Sequence, residues 1–146
     1  MVFLHPLFPL KPPLDKKSIE GLNFEKAYPP ENALIQKDGS YLQSESGDPQ
    51  LLIKLSFDQH VKIHHFSIKG GKEAKTNPKT IKLFVNQHGI DFSSAESDEP
   101  TQSFELRDKD FGQNIDLRFV KFQYVKDLAV TRVIISIILE PILDFC

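Results

Sequence analysis

The chain has 146 residues, 40% of them apolar and 26% charged, which is ordinary globular usage and excludes global disorder; the length suits one domain. Its 18 basic and 20 acidic residues give a net charge of -2 with no long block of one sign, so bulk charge does not recruit nucleic acid. The single cysteine, Cys146, cannot close an internal disulfide, which implies stability from packing alone and a cytosolic or nuclear setting.

Met1 to Leu14 is mostly apolar, but Pro6, Pro9, Pro12 and Pro13 interrupt it and no basic segment precedes it. It is shorter than the roughly 18 residues of a spanning helix. Residues 1–18 therefore read as an extended or disordered arm, neither a signal peptide nor a membrane segment. Residues 19–139 read as the folded domain and 140–146 as a tail. Leu14 to Ala27 has partial helical spacing, but Gly21, Pro29 and Pro30 limit any helix to a turn or two.

From Leu51 onward, short runs of Ile, Val, Leu and Phe are separated by Gly, Pro, Asn and Asp, the punctuation of an all-β domain. Leu51, Ile53, Leu55 and Phe57 alternate with polar residues and predict a half-buried strand. In the next run Val61 and Ile63 share a face, while Phe66 and Ile68 fall out of phase. One extra residue at His64 or His65, a β-bulge, restores all four to the core. Gly70 to Lys79 reads as a polar loop and Thr80 to Asn86 as a strand carrying Ile81, Leu83 and Val85 inward.

Gln87 to Pro100 is acidic and reads as a long surface loop, anchored only by Ile90, Phe92 and Ala95. Thr101 to Leu106 alternates as a short strand, Asp108 to Asp116 forms a charged turn around Gly112, and Leu117 to Tyr124 predicts an aromatic strand with Phe119, Phe122 and Tyr124 in the core. Arg132 to Leu139 is almost wholly apolar, Val133 to Leu139 being broken only by Ser136, and wants burial on both faces.

Little here supports catalysis. His60, His64 and His65 alternate across a strand and do not converge on a metal, and no G-x-S-x-G, C-x-x-C or phosphate-binding loop is present. Glu96 and Glu99 sit among Ser94, Ser97 and Asp98, a solvated setting that does not split carboxylate pKa values for acid–base work. The expectation is a non-enzyme without a cofactor.

The run Asp91-Phe92-Ser93-Ser94-Ala95-Glu96-Ser97-Asp98-Glu99-Pro100-Thr101-Gln102, followed by Phe104 and Leu106, resembles the signature loop of PITH domains. Flanking matches occur in order at Tyr41-Leu42, Gln50 to Ile53, Val61-Lys62-Ile63, Pro78 to Asn86 and Leu117 to Gln123. The resemblance implies an antiparallel β-sandwich of jelly-roll, galactose-binding-like type whose partner is a protein, the proteasome; charge and length argue against nucleic acid and membrane, and the chain is expected to be a monomer. Asp91, Phe92, Glu96, Asp98, Glu99 and Gln102 are the candidate partner-binding residues, although Phe92 and Pro100 equally suit a structural staple. A carbohydrate-type ligand is the alternative for such a sandwich, weakened by the absence of Trp.

Two departures stand out. Thioredoxin-like members carry a separate Cys-x-x-Cys domain, so redox activity is not carried over to a chain with one cysteine. Family members also place a strand between the Phe-Gln segment and the final Thr-Arg, whereas here Lys126 to Val130 runs straight into Thr131-Arg132. One strand then looks missing, and an unpaired Val133 to Leu139 would be prone to edge aggregation.

Overall fold

The computed structural model describes residues 19–34, 42–48, 50–69, 79–131 and 138–145. The expected arm, the Gly70–Pro78 loop and most of the apolar Arg132–Leu139 run lie outside them. The described part is an all-β antiparallel sandwich organised by one long strand, β2 (Leu52–Lys69).

The first half of β2 pairs with β1 (Ile19–Leu22) and with β6 (Val125–Thr131), which in turn pairs with β3 (Thr80–Val85), itself bordered by β4 (Gln102–Glu105). Its second half pairs with β5 (Asn114–Asp116) and β7 (Ile138–Phe145). The two strands expected between Leu51 and Ile68 are therefore one, with register shifts between Ser56 and Val61 and between Ile63 and His65. The second shift places the expected bulge at His64, and Val61, Ile63 and Ile68 are all buried as the phase argument requires. The Phe66 side chain lies outside the described part. The extra residue is used: His64 O accepts from Leu117 N–H at 3.0 Å.

Alternation sorts the residues into two apolar clusters. Ile53, Leu55, Phe57, Val61, Ile63 and Ile68 of β2 meet Ile81 and Leu83 of β3, Leu128 and Val130 of β6, and the fully buried Phe122. Each such aliphatic side chain contributes about 1.5–3 kcal/mol by leaving water. The opposite face of the same strands offers Leu52, Phe84 and Ala129, and Ile90 and Ala95 cover them.

That cover corrects the reading of Gln87–Pro100 as loop alone. It contains helix α2 (Phe92–Ser97), nucleated by a reciprocal cap in which Ser94 N–H donates to Asp91 Oδ1 at 2.8 Å and Asp91 N–H donates to Ser94 Oγ at 2.9 Å. Four other expectations change. Leu14–Ala27 contains β1, and among the described residues the helical turn nearby is α1 (Glu31–Leu34). The charged turn around Gly112 ends in β5. Lys126–Val130 is no bare connection but the body of β6, the strand between β2 and β3. Ile138 to Phe145, which takes in most of the segment read as a tail, pairs along β2 from Lys69 to Val61.

Candidate functional site

After β5 the chain turns inward at Leu117 and is then held at several points. Arg118 N–H donates to Gln102 Oε1 at 2.8 Å. Residues Phe119–Lys121 make one 3-10 turn, closed by Lys121 N–H to Arg118 O at 2.9 Å and Phe122 N–H to Phe119 O at 3.2 Å. Phe122 plunges into the core, and its carbonyl accepts from Ile63 N–H at 2.9 Å. A turn pinned on both sides of its tip must present the tip outward. Phe119 is 50% exposed, Val120 82% and Tyr124 62%, the large apolar side chains that the described surface leaves to water.

This corrects the expectation of an aromatic strand: of Phe119, Phe122 and Tyr124 only Phe122 is core, because the 3-10 turn breaks the two-residue period. The two outward rings are ordered by histidines of β2. Tyr124 stacks on His60 with centroids 3.7 Å apart and planes at 13°, and Phe119 stacks on His64 at 5.5 Å and 22°. Among the described residues no three His, Cys, Asp or Glu side chains are grouped to hold a metal. Lys62 lies between the two histidines in sequence, and Arg118 and Lys121 flank the tip. The result is a rigid apolar surface with a basic border, of the kind that supplies anchors at protein interfaces.

The six residues singled out from the sequence divide by role. Asp91 is exposed but committed to the α2 cap, and the N–H and hydroxyl of Ser94 hold its carboxyl below the usual aspartate range. Phe92 packs, half-buried, against the Leu52–Phe84–Ile90 cluster, the staple role. Glu96, Asp98 and Glu99 are exposed on the helix and just beyond it, with Asp98 accepting from Gln87 Nε2. Gln102 is the link: with Lys121 Nζ donating to Thr101 O at 3.3 Å, it ties the segment after the acidic helix to the aromatic turn. Sequence reading missed the turn because aromatic density resembled core, and the signal against it was the lost alternation from Phe119 to Phe122.

The described residues form an all-β antiparallel sandwich of seven strands that presents ordered aromatic side chains at its surface. In fold it is similar to the crystal structure of the C-terminal domain of a chitobiase from Bacteroides fragilis, with a TM-score of 0.64, 12% sequence identity, and coverage of 91% of this chain and 98% of that one. The chain belongs to the PITH domain family, whose profile matches residues 7–131. It is 37% identical over 122 residues to thioredoxin-like protein 1 of Schizosaccharomyces pombe, a match covering 80% of this chain and 42% of that protein. It thus spans less than half the length of that relative. The PITH domain is an interaction-type module, and the family match begins within the stretch read as an arm.

Proposed function

We propose that the chain is a non-catalytic protein-interaction module that associates with the proteasome in the cytosol or nucleus, gripping its partner through Phe119, Val120 and Tyr124. The observation that carries this reading is the outward presentation of Phe119 and Val120 from a turn whose both ends are hydrogen-bonded to the sandwich, with exposed Tyr124 three residues beyond it. Preordered rings lose little freedom on binding, so their burial goes largely into affinity. The exposed Glu96, Asp98 and Glu99 add acidic charge that orients the encounter, and such charges act more on association rate than on affinity. The choice of the proteasome rests on membership of the PITH family.

Affinity purification from cell lysate followed by mass spectrometry tests it. Proteasome subunits should co-purify with the native chain and fall at least about tenfold with the double variant Phe119→Ser/Tyr124→Ser. Recovery of proteasome subunits in equal amount with a folded double variant would remove the aromatic surface from the account, and their absence from the native sample would remove the partner.

A further inference from the structure

The outer face of the main sheet carries a polar cleft. Lys54 and Ser56 are two apart on β2 and lie opposite Ala129 and Asp127 on β6, while Glu20 on β1 lies opposite Lys54. Pairing at a period of two puts this polar row on the side away from Ile53, Leu55 and Val130. The segment from Gln87 to Ile90 closes over its end, and the small Ala129 leaves the floor low. The result is a cleft of about 250 Å³.

Its charges are unevenly matched. Lys54 Nζ lies 3.6 Å from Glu20 Oε1, so one cation answers one anion. Asp127 Oδ1 accepts from Ser56 Oγ at 2.7 Å, but Asp127 Oδ2 is buried and accepts no hydrogen bond among the described residues. His88 Nδ1 approaches Oδ2 to 3.3 Å without hydrogen-bond alignment, from a ring that is 82% exposed and easily displaced. A buried carboxylate oxygen lacking a donor is an expensive arrangement, and it marks a place for one.

We infer that this cleft seats the guanidinium or ammonium head of an arginine or lysine side chain from a protein segment, with Asp127 Oδ2 as acceptor and His88 as the group displaced. An anionic head would meet Asp127 and Glu20 together, and Lys54 is already engaged. The inference concerns a different face from the aromatic turn and does not depend on which protein binds there.

Amide NMR spectra of the full chain, titrated with acetyl-Gly-Arg-Gly-amide, acetyl-Gly-Lys-Gly-amide, ethylguanidinium and acetyl-Gly-Glu-Gly-amide, test it. The basic peptides should shift Ser56, His88, Gly89 and Asp127 saturably. Asp127→Asn should weaken them about tenfold while the rest of the spectrum is kept. His88→Ala, a change at an exposed ring that the fold tolerates, should bind at least as tightly because a competitor for Oδ2 is gone. Absence of saturable shifts, equal binding of the glutamate peptide, unchanged binding to Asp127→Asn, or lost binding in a folded His88→Ala each overturns the inference. Equal binding of ethylguanidinium and the arginine peptide would overturn the assignment to a protein segment in favour of a free small cation.

Discussion

Asn86 holds Tyr124 in place. The Asn86 side-chain amide donates to Tyr124 O at 2.8 Å, while its oxygen accepts from the N–H groups of Lys126 at 2.7 Å and Asp127 at 3.1 Å. Asn86 does this from the left-handed region, at φ 56°, where asparagine is among the few side chains tolerated. One residue thereby ends β3, starts β6 and fixes the backbone beneath an exposed ring.

Replacing it separates these contributions. Asn86→Ala should cost about 2–3 kcal/mol in urea unfolding, from three lost hydrogen bonds plus left-handed strain. Asn86→Gly removes the strain and should recover about 1 kcal/mol of that. Equal stabilities of the two variants would show that the backbone conformation carries no cost there.

The aromatic turn predicts opposite effects for neighbours three residues apart. Phe122→Ala empties a fully buried site and should destabilise by about 3–5 kcal/mol. Phe119→Ala removes a half-exposed ring stacked on His64, and should cost less than about 1 kcal/mol while still weakening partner capture. Matched denaturant midpoints for the two would contradict the 3-10 turn.

Much of the fold was legible because burial on one face enforces alternation. Leu51 through Phe57 and Ile81 with Leu83 could be placed from period alone, and the slip at His64 could be located because a one-residue insertion flips every later side chain. What escaped was structure made by short polar contacts. Helix α2 has only six residues, too few for a helical period, and depends on the Asp91–Ser94 cap within a run that composition marks as loop. β6 was overlooked because Lys126-Asp127 looks like a turn, although Leu128 and Val130 alternate around Ala129 as a strand should. The aromatic surface was hidden by the rule that dense aromatics are core, and the Asp127 cleft by its assembly from β1, β2, β6 and the 87–90 segment.

The α2 cap gives a pH dependence of definite sign. The Ser94 backbone N–H first, and its hydroxyl second, favour the charged Asp91 carboxylate and lower its pKa in the folded state. The stability it contributes is then fully present above the unfolded-state pKa and is lost as pH falls below that value and through the lowered folded one. Asp91→Asn should unfold more readily than the native chain at neutral pH, and the gap should narrow over that interval. A gap that stays constant as the carboxylate is protonated would exclude the charge as its source.

Gly21 faces a close approach rather than a conformational demand. A Cβ there would run into Pro30 Cγ and lie 3.0 Å from Phe24 Cδ1. Since a proline ring has little room to yield, Gly21→Ala should cost about 1–3 kcal/mol, with the amides of β1 and its β2 partners exchanging fastest. Unchanged exchange along Ile19–Leu22 would show that this corner repacks freely.

Thr131 is the last residue of β6, with its backbone paired to Leu52 on one side and Lys82 on the other. Its side chain is buried, yet Oγ1 has no hydrogen-bond partner among the described residues. Two effects compete on replacing it with valine. A methyl takes the place of a hydroxyl in a packed site, which can strain neighbours, but a hydroxyl that left water without a partner already costs about 1–3 kcal/mol. Thr and Val have nearly the same shape and both favour strands, so the desolvation term should win. Thr131→Val is therefore expected to raise the unfolding free energy by about 1 kcal/mol at unchanged m-value. Destabilisation instead would overturn the reading of this hydroxyl as buried without a hydrogen bond.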